Sequence, residues 1–281
     1  MVALLARAWN RWFADPLRKV DADSLAYRQS AAAGRFDVKT VTVVLVAALS
    51  LTLQNYFGSP GSVVPLLRGG AAAVGTPESV AGLTATLNRW HTEQSARLVW
   101  FALTAFTLYA VLPGLVVTLA FRERLTYYGA GVRGVAADWP VYLAFALVMV
   151  PLVYLCSGFP RFHEVYPFYR VSAPVEVDAG FVRWELVYAL QFIGLEFFFR
   201  GFLVHGTKHR FGAYAVFLMV IPYCMIHFHK PIAECFASII AGVGLGVVSL
   251  VTRSVWPGAA LHIMVAWGMD LSVLARRGML G

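Results

Sequence analysis

Residues 184–204 read WELVYALQFIGLEFFFRGFLV, an apolar run interrupted by Glu185, Gln191, Glu196 and Arg200. As a helix rising 1.5 Å per residue, such a run is long enough to cross a hydrocarbon core of about 30 Å, which takes roughly 20 apolar residues. Glu196 and Arg200 are four apart, so they share a helix face and can pair within one turn. An ionisable group at the centre of a membrane helix costs about 2.5–3.5 kcal/mol on insertion scales, so such groups persist where they pair, line a water-filled cavity or do chemistry.

Six more apolar runs flank this one, at 40–57, 98–121, 139–159, 211–228, 235–252 and 255–274. The whole chain is 59% hydrophobic and 14% charged, with a mean hydropathy of +0.67, against about 45–50% and about 25% in soluble domains. That leaves too little polar surface to clothe a globule in water. The expected fold is all-α: a polytopic transmembrane helix bundle of about seven spans, with the lipid bilayer as its first partner. Pro113-Gly114 and Pro151 are expected to kink their helices, which membrane helices tolerate.

Before the first run, Leu4, Leu5, Ala8, Trp9, Trp12 and Phe13 recur at helical spacing, with Arg7 and Arg11 opposite. That is the pattern of an amphipathic helix lying in the headgroup region, and Asp15-Pro16 is expected to break it. The chain therefore divides into an interfacial segment at 1–36, a first group of membrane helices and loops at 37–182, and a core at 183–275. Residues 58–96 are expected to form a loop with one short helix from Pro77, capped by Thr76. Residues 160–182 are expected to form an aromatic and acidic loop.

Lys plus Arg exceed Asp plus Glu by 23 − 15 = 8. On a soluble chain that excess would suggest nucleic acid. Here it falls at the ends of spans, where basic residues orient helices and meet anionic lipid, and no nucleic-acid partner is expected. Arg7, Arg11, Arg18, Lys19, Arg28, Arg35 and Lys39 precede the first span, which places the N-terminus in the cytoplasm. Alternation then puts Arg122, Arg124, Arg133, Lys208, Arg210 and Arg253 on the same side, and nine basic residues on the other. The expected location is integral to a bacterial inner (plasma) membrane. Cys156, Cys224 and Cys235 lack any CxxC spacing and read as buried thiols rather than a zinc site or disulfide framework. Gly242 and Gly246 form a small-xxx-small ridge that allows close helix approach, not a dinucleotide loop.

The first three spans carry almost no ionisable residue. The later ones carry Glu196, Arg200, His205, His227, His262 and Asp270, so any chemistry belongs after residue 180. The plain alternative for Glu196 and Arg200 is a structural pair. For each histidine it is a hydrogen-bonded packing residue, favoured for His229. Pro231 places His227 and His229 at a helix end, with Lys230 and Glu234 pairing across the turn. His262 lies one turn into the helix opened by Pro257-Gly258. Glu185 and Gln191, nearer the outer end, are expected to face water or a partner helix. No serine stands beside a histidine at a nucleophile-like spacing in the sequence.

A Glu-xxx-Arg-Gly helix, then an aromatic-xxx-His followed by Lys-Pro-xx-Glu, then Pro-Gly-xxx-His in the last span, resembles the CPBP family of intramembrane proteases. That family includes type II CAAX prenyl endopeptidases and bacterial Abi self-immunity proteins. The motif residues are Glu196, Arg200 and Gly201, then Tyr223 and His227, then His262. The resemblance implies an intramembrane endopeptidase with Glu196, His227, His262 and Arg200 as catalytic residues. Its substrate would be a membrane-anchored or lipidated peptide or protein. Two departures stand out. The family's first motif has a second glutamate, usually assigned the catalytic role, where this chain has Leu195. Its third motif has Asn or Asp where this chain has Ala266.

Peptide hydrolysis needs a water, a base and oxyanion stabilisation. Under the resemblance, Glu196 would be the base, His262 would support the oxyanion and Arg200 would balance Glu196. The cofactor implied is either none or a divalent metal such as zinc, for which Glu196, His227 and His262 would make a three-ligand shell; a metal-free glutamate mechanism is the reading adopted. The alternative class is a non-catalytic CPBP-like membrane protein, such as an immunity, chaperone or partner-binding factor. A proton-coupled transporter would also use Glu, Arg and His, but the sequence has no inverted repeat. If one water serves all three residues, His227 must approach Glu196 and His262. That requires a chain break near Lys230-Pro231 or a strongly tilted fifth span.

Overall fold

The computed structural model describes residue 7 and residues 9–132, 135–171 and 179–280, and every regular element among them is helical. In chain order these are α1 (Asp15–Gln29), α2 (Val38–Phe57), α3 (Pro60–Val74), α4 (Pro77–Thr92), α5 (Gln94–Ala120) and α6 (Trp139–Cys156). They continue with α7 (Pro160–Val165), α8 (Ala179–Phe211), α9 (Tyr214–Met225), α10 (Ile232–Thr252) and α11 (Trp256–Arg276). Each of the seven apolar runs contains a helix, but the run at 211–228 is helical only over Tyr214–Met225 beyond the end of α8. Five helices, α2, α5, α8, α10 and α11, are long and apolar enough to cross a membrane, while the apolar stretch of α6 and the whole of α9 are shorter. The protein is an integral membrane helix bundle.

Helix α8 is the hub. Its most apolar window is 72% buried, against 22% for α2, so the other helices surround it. From Phe197 to His205 it widens into π-helical turns, and Phe198, Phe199, Phe202 and Val204 there have no exposure at all. Side chains leave such a segment in more directions than from a regular helix, so bulky aromatics meet neighbours on several sides. Phe198 lies 4.7 Å from Tyr109 of α5, ring to ring, and Phe199 lies 5.2 Å from Tyr223 of α9.

Polar ties close the bundle at each end. At one end Asp37 caps α2 through Thr40 and accepts from His209 Nε2 at 3.0 Å. Lys39 pairs with Glu123 at 2.7 Å, Tyr128 donates to Glu123, and the Ala213 amide donates to Asp21 at 2.7 Å. At the other end Arg276 donates to Ser157 at 2.8 Å, and Gln94 donates to the Arg170 carbonyl at 3.1 Å. The Val255 amide donates to the Gly129 carbonyl and Ser254 Oγ to that of Gly131, so the segments around residues 37, 123, 209 and 254 share one end.

Three expectations need correction. Asp15-Pro16 does not break the N-terminal helix: a π-helical turn at Asn10–Ala14 runs directly into α1, with helical backbone at Ala14. Pro16 is tolerated inside this continuous helix because the π-helical turn ahead of it shifts the hydrogen-bond register and absorbs the amide it lacks. Of the amphipathic pattern, Leu4, Leu5 and Ala8 lie outside the described residues; Trp9 stacks on Phe13 at 5.1 Å. Residues 58–96 form two helices rather than one. Thr76 caps α4 as expected, and α3 also forms, since Pro60 occupies a first-turn position there. Residues 160–182 likewise include the short helix α7. Pro113 lies between two π-helical turns, at Thr107–Val111 and Val116–Ala120, which absorb its missing hydrogen bond.

Candidate active site

Glu196 sits at mid-length in α8 with no solvent exposure, and Arg200 one turn later has none either. Arg200 Nη1 donates to Glu196 Oε1 at 2.8 Å, and His262 Nδ1 reaches the same oxygen at 2.9 Å. Motif one is thereby joined to motif three across the α8–α11 interface. The Pro-Gly preceding His262 has a steric reason. A Cβ built at Gly258 would stand 2.5 Å from Glu196 Oε2, so only glycine lets the first turn of α11 approach the carboxylate. That turn carries the positive end of the helix dipole, which favours a carboxylate there.

Motif two arrives through a break in the chain. Helix α9 has twelve residues, about 18 Å of rise, and cannot span a core of about 30 Å. After Met225 the chain turns through residues 226–230, with His229 in the left-handed region at φ 74°, and resumes at α10 behind Pro231. His227 is thus held beside the interior rather than at the far surface. Its Nδ1–H donates to the Tyr223 carbonyl at 2.8 Å. The Tyr223 ring is the common neighbour of the three motifs. Its centroid lies 4.9 Å from the His227 ring, 6.2 Å from the His262 ring and 4.1 Å from the Arg200 guanidinium.

Each imidazole therefore has Nδ1 committed as a donor, to a carbonyl for His227 and to a carboxylate for His262. In the neutral rings Nε2 is left as the acceptor. Both histidines line two adjoining cavities. The first, of about 430 Å³, lies among α2, α5, α8, α10 and α11; its walls include Gln191, Leu195 and Lys230. The second, of about 550 Å³, lies among α6, α9, α10 and α11 and is apolar, with Phe145, Met149 and Leu261 in its wall. His227, Glu234, His262, Val265 and Met269 line both. Glu196 lines neither: it stands behind His262, while Leu195 faces the first chamber.

The donor set does not fit a metal. Glu196 Oε1 is already taken by a guanidinium and by the protonated Nδ1 of His262, and Oε2 is buried against Gly258, away from both chambers that His227 and His262 line. No group of three or more His, Cys, Asp or Glu among the described residues is placed to hold an ion.

Other polar residues have their own positions. Glu185, expected to face water or a partner helix, has its carboxylate oxygens shut off from water, and its carbonyl accepts from Trp267 Nε1 of α11 at 3.1 Å. Asp270 has no exposure and lines neither chamber. His205 Nε2 meets Ser249 Oγ at 3.0 Å, a Ser–His contact between helices that linear spacing does not reveal. Both are buried and line neither chamber, and Lys208 Nζ sits 2.6 Å from His205 Nδ1, so the contact ties α8 to α10. Sequence reading overlooked Tyr166. It is 1% exposed; its hydroxyl donates to Glu234 at 2.9 Å and accepts from Lys230 Nζ at 2.8 Å. Lys230 also pairs with Glu234 at 3.3 Å, as their spacing predicts. Nothing in the linear pattern pointed to Tyr166, since its partners lie more than sixty residues away.

Residues 179–268 match the family model described as type II CAAX prenyl endopeptidase Rce1-like, in agreement with the CPBP resemblance of the motifs. The matched segment runs from the start of α8 into α11 and contains all three motifs. Neither a search of curated proteins nor one of solved structures returned a match.

Proposed function

We propose, from the family match over residues 179–268 and the geometry around His262, that the chain is an intramembrane endopeptidase. It hydrolyses a peptide bond near the C-terminus or membrane anchor of a membrane-associated substrate. One observation carries the reading: two imidazoles, one from the turn after α9 and one from α11, each fixed at Nδ1, line the same pair of chambers in the bundle interior. Half-buried histidines kept only for packing have no reason to converge on open space. The first chamber has polar side chains for water and the scissile peptide. The second is apolar and suits the hydrocarbon of a membrane anchor.

In this reading His227 and His262 touch the reacting atoms, orienting water and supporting the oxyanion that forms at the carbonyl. Glu196 acts through His262 by fixing its tautomer and strengthening it as a hydrogen-bonding group. Arg200 balances the charge of Glu196 and rests on Tyr223. The protein sits in the bacterial inner membrane with its N-terminus in the cytoplasm, as the basic excess before α2 argues. A second reading, a non-catalytic binding factor of the same family, is favoured by one observation, the Leu195 side chain on the chamber wall.

The test is cleavage by protein reconstituted in liposomes with a panel of membrane-anchored and lipidated peptides, read by mass spectrometry. The endopeptidase reading expects fragments from wild type and none from folded His227→Ala or His262→Ala. Binding without cleavage by wild type would establish the second reading instead.

A further inference from the structure

Hydrolysis in these chambers needs a carboxylate or comparable base that meets the water. Glu196 does not: it lies off both walls with Oε1 doubly engaged. Among the described residues one carboxylate lines the chambers, and it lines both: Glu234, in the first turn of α10. The two histidines line the same pair of chambers. Its side chain is 11% exposed, so it is sheltered without being sealed.

The surroundings of Glu234 suit a carboxylate held ready to accept a proton. A carboxylate offers about four lone-pair positions. Tyr166 supplies one O–H, placed 2.9 Å from each oxygen, and Lys230 supplies one N–H at 3.3 Å. Acceptor capacity is left for a water. Burial and the nearby Tyr188 and Glu234 push the Tyr166 phenol well above its usual range, so it remains a donor throughout. Lys230 lies 4.9 Å from the Tyr166 ring and 4.4 Å from the Phe168 ring, which holds the cation in place beside the carboxylate. An ordinary ion pair at a helix start needs neither a buried tyrosine clamping both oxygens nor a place on two cavity walls.

We infer that Glu234 is the general base of the hydrolysis, positioned by Tyr166 and Lys230; the inference rests on the endopeptidase reading above. Glu234 takes a proton from the bound water, and the water oxygen forms a bond to the substrate carbonyl carbon. The carbonyl π pair moves to oxygen, giving a tetrahedral oxyanion that the histidines support. That pair then re-forms the carbonyl as the carbon–nitrogen bond breaks. The leaving nitrogen takes the proton from Glu234, which returns to its carboxylate form. The products are a carboxylic acid and an amine, and transfer of the acid proton to the amine leaves a carboxylate and an ammonium, with no oxidant, reductant or cofactor consumed.

The test compares wild type, Glu234→Gln, Glu234→Asp and Tyr166→Phe in liposomes against a membrane-anchored peptide that wild type cleaves, with melting in detergent as the control for folding. Gln keeps the Tyr166 hydrogen bond but cannot take a proton. The expected result is a loss of about 100- to 10,000-fold in kcat with KM little changed, partial recovery with Asp, and a displaced acidic limb of the pH–rate profile in Tyr166→Phe. A folded Glu234→Gln with wild-type kcat overturns the assignment while leaving the endopeptidase reading intact. A wild type that cleaves no anchored peptide overturns the reading and the assignment with it. A Glu234→Gln variant that fails to fold is replaced by Glu234→Asp, whose carboxylate is drawn back by one methylene and whose wild-type kcat would equally overturn it.

Discussion

Replacing Glu196 by Leu removes the ion-pair partner of Arg200, whose Nε and Nη2 have no hydrogen-bond partner among the described residues. Arg200 has no solvent exposure, so the guanidinium is left charged in a medium that solvates it poorly. Breaking a buried pair from one side costs about 3–5 kcal/mol, and the lost His262 hydrogen bond adds about 1 kcal/mol. At roughly 2–4 °C per kcal/mol for chains of this order of size, the single variant should melt on the order of 10 °C below wild type. The double variant Glu196→Leu/Arg200→Met removes both charges and replaces them with similar apolar volume, which is often neutral or stabilising. It should recover most of the loss, retaining the deficit from the His262 bond. Tryptophan fluorescence melts in detergent, at one fixed scan rate because unfolding is expected to be irreversible, would measure the cycle. A single variant that melts within a degree or two of wild type, or a double variant as unstable as the single, would refute the reasoning.

Gly246→Leu should destabilise by about 1–3 kcal/mol through overpacking, because an added Cβ would lie 2.6 Å from Val216 of α9; Gly69→Ala, with nothing within 4 Å, should melt like wild type. Acid should loosen the end of the bundle held by Asp37 and Glu123. Burial raises both carboxyls, but Thr40 and His209 around Asp37, and Lys39 and Tyr128 around Glu123, outweigh it and hold each below its ordinary value of 3.8 or 4.5. With the folded values depressed, the contribution is fully present above those ordinary values and is lost as pH falls through the folded ones. Melting temperature should therefore drop below about pH 4.5, less steeply in Asp37→Asn/Glu123→Gln; equal slopes would contradict this. Cysteines placed at the N-terminus and in the Lys208–Arg210 turn should react only with reagents that reach the cytoplasm, and labelling of both from outside would reverse the orientation.

The bundle was legible because hydrophobic length is a strong signal: each of the seven apolar runs contains a helix, and Thr76, Pro231 and Pro257 open helices near the positions their chemistry dictates. The site was partly legible. The four-residue spacing of Glu196 and Arg200, and of Lys230 and Glu234, is local geometry, and both pairs are present. The bond from His262 to Glu196 joins residues 66 apart, and the ties of Tyr166 to Lys230 and Glu234 cross between a loop and a helix start. Such contacts depend on how helices pack, which no local period encodes. Asp15-Pro16 was misread because a π-helical turn just ahead of Pro16 absorbs its missing amide, and hydropathy does not reveal such a turn. The shortness of α9 was also hidden, since hydropathy counts apolar residues whether or not the chain stays helical through His227.

The central claim is that these chambers host hydrolysis of a peptide bond. Cleavage of a membrane-anchored peptide in heavy-oxygen water, followed by mass spectrometry of the fragments, tests it most directly. The account predicts one heavy oxygen in the new carboxylate of the released N-terminal fragment, and no such fragment from His262→Ala. An anchored peptide that binds the wild-type protein yet stays intact under the same conditions would contradict it.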